Sequence, residues 1–132
     1  MDLRKKTEMI VVHCAATKPS MDIGASEIKK WHVDDNGWDD IGYHYIIKRG
    51  GLLEVGRPEA FKGAHAPAAN SKSIAICLVG GMSEDGDAEN NFTLQQFLSL
   101  KDLIKRLLMT NSNIQEIVGH YDIQDNKPNC PG

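Results

Sequence analysis

Met9-Ile10-Val11-Val12-His13 is an unbroken apolar run that ends on an imidazole. Side chains alternate between faces along a strand, so a run apolar at every position reads as a strand covered on both sides. Ser73 to Val79 has the same character and stops at the Gly80-Gly81 break. Ile117-Val118-Gly119 is a shorter strand that delivers His120 to its end. Between these lie Tyr43-His44-Tyr45-Ile46-Ile47-Lys48 and Leu52-Leu53-Glu54-Val55, separated by Arg49-Gly50-Gly51. A glycine pair supplies the positive φ values of a tight hairpin, so these two segments are expected to pair antiparallel. Strict alternation would put Tyr43 and Tyr45 on one face of the sheet and His44 on the other.

Two helical segments alternate with the strands. Ile23 to Asp35 carries Ile28 and Trp31 at helical spacing and is stopped by Gly37. Thr93-Leu94-Gln95-Gln96 fits a capping box. Behind it Leu94, Phe97, Leu98, Leu100, Leu103, Ile104, Leu107 and Leu108 form an apolar stripe, predicting a helix to about Met109. Strands alternating with helices, plus one hairpin, imply an α/β fold with a central mixed β-sheet flanked by helices. No repeat, linker or low-complexity tract divides it, so residues 1–132 are read as a single domain. Ligands of such sheets gather at strand ends, where His13 and His120 are expected.

Hydrophobic content of 41% and charged content of 25% are ordinary for a soluble globular chain. A net charge of −3 gives no basic field, so nucleic acid and an anionic membrane are not expected partners. No apolar run approaches the roughly 18 residues of a transmembrane helix. The opening Met1 to Glu8 has no apolar stretch behind its charges and is not read as a secretory signal. Three widely spaced cysteines argue against a disulfide framework. Cys14 and Cys77 adjoin or lie in strand-like runs and are read as small buried hydrophobes. Cys130, among Asn, Pro and Gly, has no such explanation.

His13, His120 and Cys130 together offer two imidazoles and a thiolate. That set leaves one position of a tetrahedral zinc open, the arrangement of a catalytic site. An open zinc acidifies water and polarises a carbonyl, which points to metal-assisted hydrolysis. Spacing alone does not decide it: His13 and His120 are far apart, and a strand-end histidine is more often a satisfied polar residue.

Several segments taken together resemble one family. Val12-His13-Cys14-Ala15-Ala16-Thr17, Trp31-His32, Gly42-Tyr43-His44-Tyr45, Gly63-Ala64-His65, Asn70-Ser71-Lys72-Ser73-Ile74, Cys77-Leu78-Val79-Gly80-Gly81 and Cys130-Pro131-Gly132 are similar to the zinc-dependent N-acetylmuramoyl-L-alanine amidases. Within that family the likeness is to the branch containing bacteriophage T7 lysozyme, and the family shares its fold with the peptidoglycan recognition proteins. The resemblance runs in order from Met9 to Gly132. It implies a Zn²⁺ held by His13, His120 and Cys130, an active-site Tyr43, and His65 in the substrate cleft. The family's basic residue two positions before the ligand cysteine falls on Pro128 here, leaving Lys127 as a shifted counterpart. The implied reaction is hydrolysis of the amide joining N-acetylmuramic acid to L-alanine in peptidoglycan.

On this reading Tyr43 and Lys127 are candidate oxyanion donors, and His44 is read as a structural polar residue. Trp31 and Trp38 are candidates for lining a sugar cleft, with a core role the alternative for Trp31. The rival functions are a recognition module that grips the muropeptide without cutting it, an amidase with an added polymerase-inhibitor role, and a hydrolase of another amide. Nothing in the sequence encodes an RNA polymerase partner. Synthesis in the cytoplasm without a signal peptide is expected. Action on the cell wall would then follow release, as in phage or prophage lysis, the alternative being cytoplasmic recycling.

Overall fold

In the computed structural model, which describes residues 1–119, the predicted runs become β1 (Met9–Cys14), α1 (Ala25–Lys30), β2 (Tyr45–Ile47), β3 (Leu53–Val55), β4 (Ser73–Leu78), α2 (Leu94–Thr110) and β5 (Glu116–Gly119). The strands form one mixed sheet in the order β3-β2-β4-β1-β5. β1 runs parallel to both neighbours, Val12 facing Ile76 on one side and Gly119 on the other. β2 is parallel to β4, and β3 pairs antiparallel with β2. β1 is an interior strand with both faces covered, which explains why its sequence is apolar throughout.

The hairpin forms with a different turn from the one the glycine pair suggests. Gly51 N–H donates to the Lys48 carbonyl at 2.8 Å and Lys48 N–H to the Leu52 carbonyl at 2.9 Å. Gly51 has φ +93° while Gly50 is not in the positive-φ region. One left-handed glycine after a turn makes a three-residue loop, the bulged alternative to a two-residue turn.

One sheet face packs under α2. Ile10, Val12, Ile47, Ile74, Ile76 and Leu78 meet Leu103 and Leu107, with Leu100 and Ile104 partly buried beside them. Each fully buried leucine contributes about 1.5–3 kcal/mol relative to exposure. The predicted stripe is wider than this contact: Leu94 and Leu98 are 68% and 59% exposed, and Phe97 and Leu108 also face solvent. The reason lies in Gln96, which is fully buried. Its side chain completes the capping box with Thr93 and donates to the carbonyls of Val79 at 2.7 Å and Ile47 at 3.2 Å. Docking α2 on those sheet carbonyls turns Gln96 inward and carries Leu94 and Leu98 outward.

The other face is covered by α1 and loops. Ile28 and Ile41 pack on Ile46, Cys77 and Val79, while Ala66 and Ala69 pack on Met9 and Val11. The expected helix from Ile23 to Asp35 starts later and changes type. α1 ends at Lys30 and the chain continues as a π-helical turn over Trp31–Asp35, with Gly37 at φ +72° beyond it. The α1 start is held by carboxylates: Glu27 accepts from Gly24 N–H at 3.1 Å and Glu54 from Ala25 N–H at 2.8 Å. Trp31 is exposed, so its alternative assignment to the core is corrected: α1 buries only Ile28, and Trp31, still in α-helical register with its N–H on the Glu27 carbonyl, lies outside that contact.

Candidate active site

Alternation along β1 sends Ile10 and Val12 toward α2 and His13 to the opposite face. There His13 is buried, and its Nε2 lies 2.8 Å from His65 Nδ1 with the rings edge to face. His65 Nε2 is 3.1 Å from Ser73 Oγ, and the Ser73 hydroxyl donates to the Ala69 carbonyl at 2.7 Å. The segment carrying His65 is irregular and is pinned by Asn70. That side-chain oxygen accepts from the backbone N–H of His65 at 3.0 Å and of Ala66 at 2.9 Å. Ala64 N–H donates to the Gly42 carbonyl at 3.1 Å, bringing this loop against the approach to β2. A Cβ on Gly42 would lie 2.1 Å from the Ala64 oxygen, so only glycine permits that approach.

Tyr43 is on the same face as His13, their ring centroids 5.1 Å apart. The expectation that Tyr43 and Tyr45 share a face is therefore corrected. Tyr45 packs with the α2 cluster and Tyr43 with Ile28, Ile41 and Cys77. Regular β2 pairing starts only at Tyr45, so alternation does not extend back to Tyr43. The Tyr43 ring packs on the cluster that holds Cys77, and Cys77 faces His13 across the β1–β4 pairing. Burial pushes the Cys77 thiol pKa up. Cys14, by contrast, is only half-buried and departs from its expected role as a core hydrophobe.

A row of rings continues from Tyr43. His32 lies 5.5 Å from Tyr43 and 4.6 Å from Trp38 between centroids. Its Nδ1 accepts from Gly42 N–H at 2.9 Å, and its pKa is lowered by burial and then by the Arg57 guanidinium. Arg57 is itself buried, donating to the carbonyls of Ile41, Lys62 and Asp40 and tying the loops behind the row. His32, Arg57, Asn70 and Ser73 were not singled out individually by sequence reasoning, although three of them fall in the motifs carrying the resemblance.

His44 has the structural role expected of it. It is fully buried, its Nδ1 accepting from Ala75 N–H at 3.0 Å and its Nε2 donating to the Phe61 carbonyl at 2.8 Å. Burial lowers its pKa to about 4.

Of the sequence-predicted site residues, the structure brings His13, Tyr43 and His65 together. His120, Lys127 and Cys130 lie outside the described residues. Among the described residues no three His, Cys, Asp or Glu side chains are grouped to hold a metal, and no helix is long and apolar enough to cross a membrane.

The fold and site define an α/β domain with a cluster of histidines and Tyr43 on the sheet face opposite α2. The chain belongs to the N-acetylmuramoyl-L-alanine amidase family, which it matches over residues 3–132. It is 50% identical over 105 residues to the endolysin of Escherichia phage T7, spanning 80% of this chain and 69% of that protein. Among solved structures, the N-acetylmuramoyl-L-alanine amidase LysC from Clostridium intestinale aligns with a TM-score of 0.81 and 31% identity, covering 96% of this chain and 77% of that one. Bumblebee PGRP-SA shares the fold at a TM-score of 0.79 and 23% identity, over 100% of this chain and 83% of its own. The enzyme class and fold expected from the sequence therefore hold.

Proposed function

We propose that this chain cleaves the amide between the lactyl group of N-acetylmuramic acid and the L-alanine of the peptidoglycan stem, with Zn²⁺ held by His13, His120 and Cys130. The observation that carries the metal reading is the β1–β5 register. Gly119 faces Val12, and each is followed in the chain by one of the two histidines. The donor chemistry fits: neutral imidazoles and a thiolate are the ligands of an open zinc site. His13 is buried and held at one ring nitrogen by His65, as ligating imidazoles commonly are.

When bound, zinc supplies Lewis acidity for the amide oxygen and acidifies water. The chain's own residues do the rest. Tyr43, beside His13, donates its hydroxyl to the developing oxyanion. Lys127 is the second donor. His65 forms the cleft wall next to His13, and His32 with Trp38 extends the binding surface from Tyr43 for the glycan or peptide. The enzyme reaches its substrate when released to the cell wall, as a lysis enzyme does.

The test is digestion of purified peptidoglycan with and without a chelator, the new ends being identified by mass spectrometry. Free lactyl groups on muramic acid and new N-terminal L-alanine, both abolished by chelation and restored by zinc, are expected. New ends at any other bond, or cleavage indifferent to chelation, would reject the reading.

A further inference from the structure

Four residues make one hydrogen-bonded line from the core to His13. It runs from the Ala69 carbonyl through Ser73 Oγ and both nitrogens of His65 to His13 Nε2, with separations of 2.7, 3.1 and 2.8 Å. All four residues but His65 are buried. A line of this kind has a direction, and one end of it is fixed.

The Ala69 carbonyl oxygen can only accept, so Ser73 must donate its single proton there. Ser73 therefore turns lone pairs toward His65, and His65 Nε2 must carry the proton between them. In a neutral imidazole the other nitrogen is then the acceptor, so His65 Nδ1 faces His13 with its lone pair. The proton of the His13–His65 contact consequently sits on His13 Nε2. The basic lone pair of a neutral His13 is left on Nδ1.

We infer that His65 and Ser73 are positioning residues that hold His13 as its Nε2-protonated tautomer, so that Nδ1 is the nitrogen offered to zinc. This rests on the zinc reading above. It also gives His65 a definite role, because both its ring nitrogens lie along the line and it acts through His13. Fixing the tautomer and orientation of a ligating histidine raises its basicity toward the metal, and loss of such a partner commonly costs about 10–100-fold in metal affinity.

Two measurements test it. In zinc-loaded wild-type protein, long-range ¹H–¹⁵N correlation of the histidine rings should show His13 protonated at Nε2 and coordinated through Nδ1. Zinc affinity, measured by chelator competition, should fall about 10–100-fold in His65→Leu. His65→Gln can accept from His13 and donate to Ser73 in the same order, so it should restore affinity to within about threefold of wild type. Coordination of His13 through Nε2 would overturn the inference while leaving the amidase reading intact. So would wild-type zinc affinity in a folded His65→Leu protein. The spectrum needs no variant, so misfolding of His65→Leu cannot shield the idea. A wild-type protein that takes up no zinc at all would sink this inference and the zinc reading together.

Discussion

Gly119 of β5 lies beside Val12 of β1 in a parallel pair, so the two strands run toward the same edge of the sheet. Parallel pairing spaces hydrogen bonds evenly and holds the two backbones at a fixed separation. The position of the proposed first ligand is a property of the core: His13 follows four buried apolar residues of β1.

One zinc per chain is expected, and Cys130→Ser should lower its affinity without unfolding the domain. Among the described residues the core clusters are built from the five strands, α1, α2 and the loop carrying Ala66 and Ala69, so the loss is expected at the metal. Metal analysis paired with far-UV circular dichroism reads both. Unchanged occupancy and affinity would remove Cys130 from the ligand set.

Tyr43→Phe should retain zinc and fold and lower turnover by about 10²–10³, the usual loss for one oxyanion donor. The ring keeps its packing against Ile28, Ile41 and Cys77, and only the hydroxyl goes. Single-turnover rates on a defined muropeptide measure this. Wild-type rate in a zinc-loaded variant would take Tyr43 out of the chemistry.

The features that were legible in the sequence are those decided within a few residues. The β1 run, the Thr93–Gln96 cap and the Gly80-Gly81 break all appear where local pattern put them. What escaped was decided by distant partners. Gln96 is buried because carbonyls of Ile47 and Val79 receive its amide, which no helical periodicity encodes. Tyr43 turns to the His13 face because Gly42 brings the chain against Ala64 before regular pairing starts. His32 joins the ring row through a π-helical turn, where a 3.6-residue period no longer applies. His13, Tyr43 and His65 stand in recognisable motifs, but the line through Ser73 depends on the irregular segment carrying His65 folding back onto β4.

Buried His44 should make stability fall as pH drops below neutrality. Its folded pKa of about 4 lies below the ordinary 6.5, so the unfolded chain binds the extra proton first. The contribution is fully present above 6.5 and is lost as pH falls toward 4, a span worth roughly 3 kcal/mol. Urea midpoints across that range, at constant metal content, should decline more steeply in wild type than in His44→Gln. Equal slopes would show that His44 is not the group responsible.

Lys127→Ala tests the shifted counterpart of the family's basic residue. If its ammonium meets the transition state, kcat should drop while zinc affinity holds, because a contact is lost and the ligands remain. Peptidoglycan cleavage at the wild-type rate would make Lys127 a solvated lysine and leave Tyr43 as the only protein donor proposed.

Trp38 separates binding from chemistry. Its ring is partly exposed and 4.6 Å from His32, which in turn lies 5.5 Å from Tyr43, so it stands two rings removed from the proposed reacting bond. An exposed aromatic face next to such a row is suited to sugar or peptide contact, and an indole brings large apolar area with little side-chain entropy to lose. A contact made equally in the ground and transition states affects KM and spares kcat. Trp38→Ala should therefore raise KM by about tenfold, the equivalent of about 1.4 kcal/mol, with kcat nearly unchanged. Trp38→Phe should recover much of the loss by restoring an aromatic face. The control is zinc affinity, which neither variant should change. A fall in kcat with KM intact would mean that Trp38 acts on the chemistry through His32 and Tyr43 rather than by holding substrate.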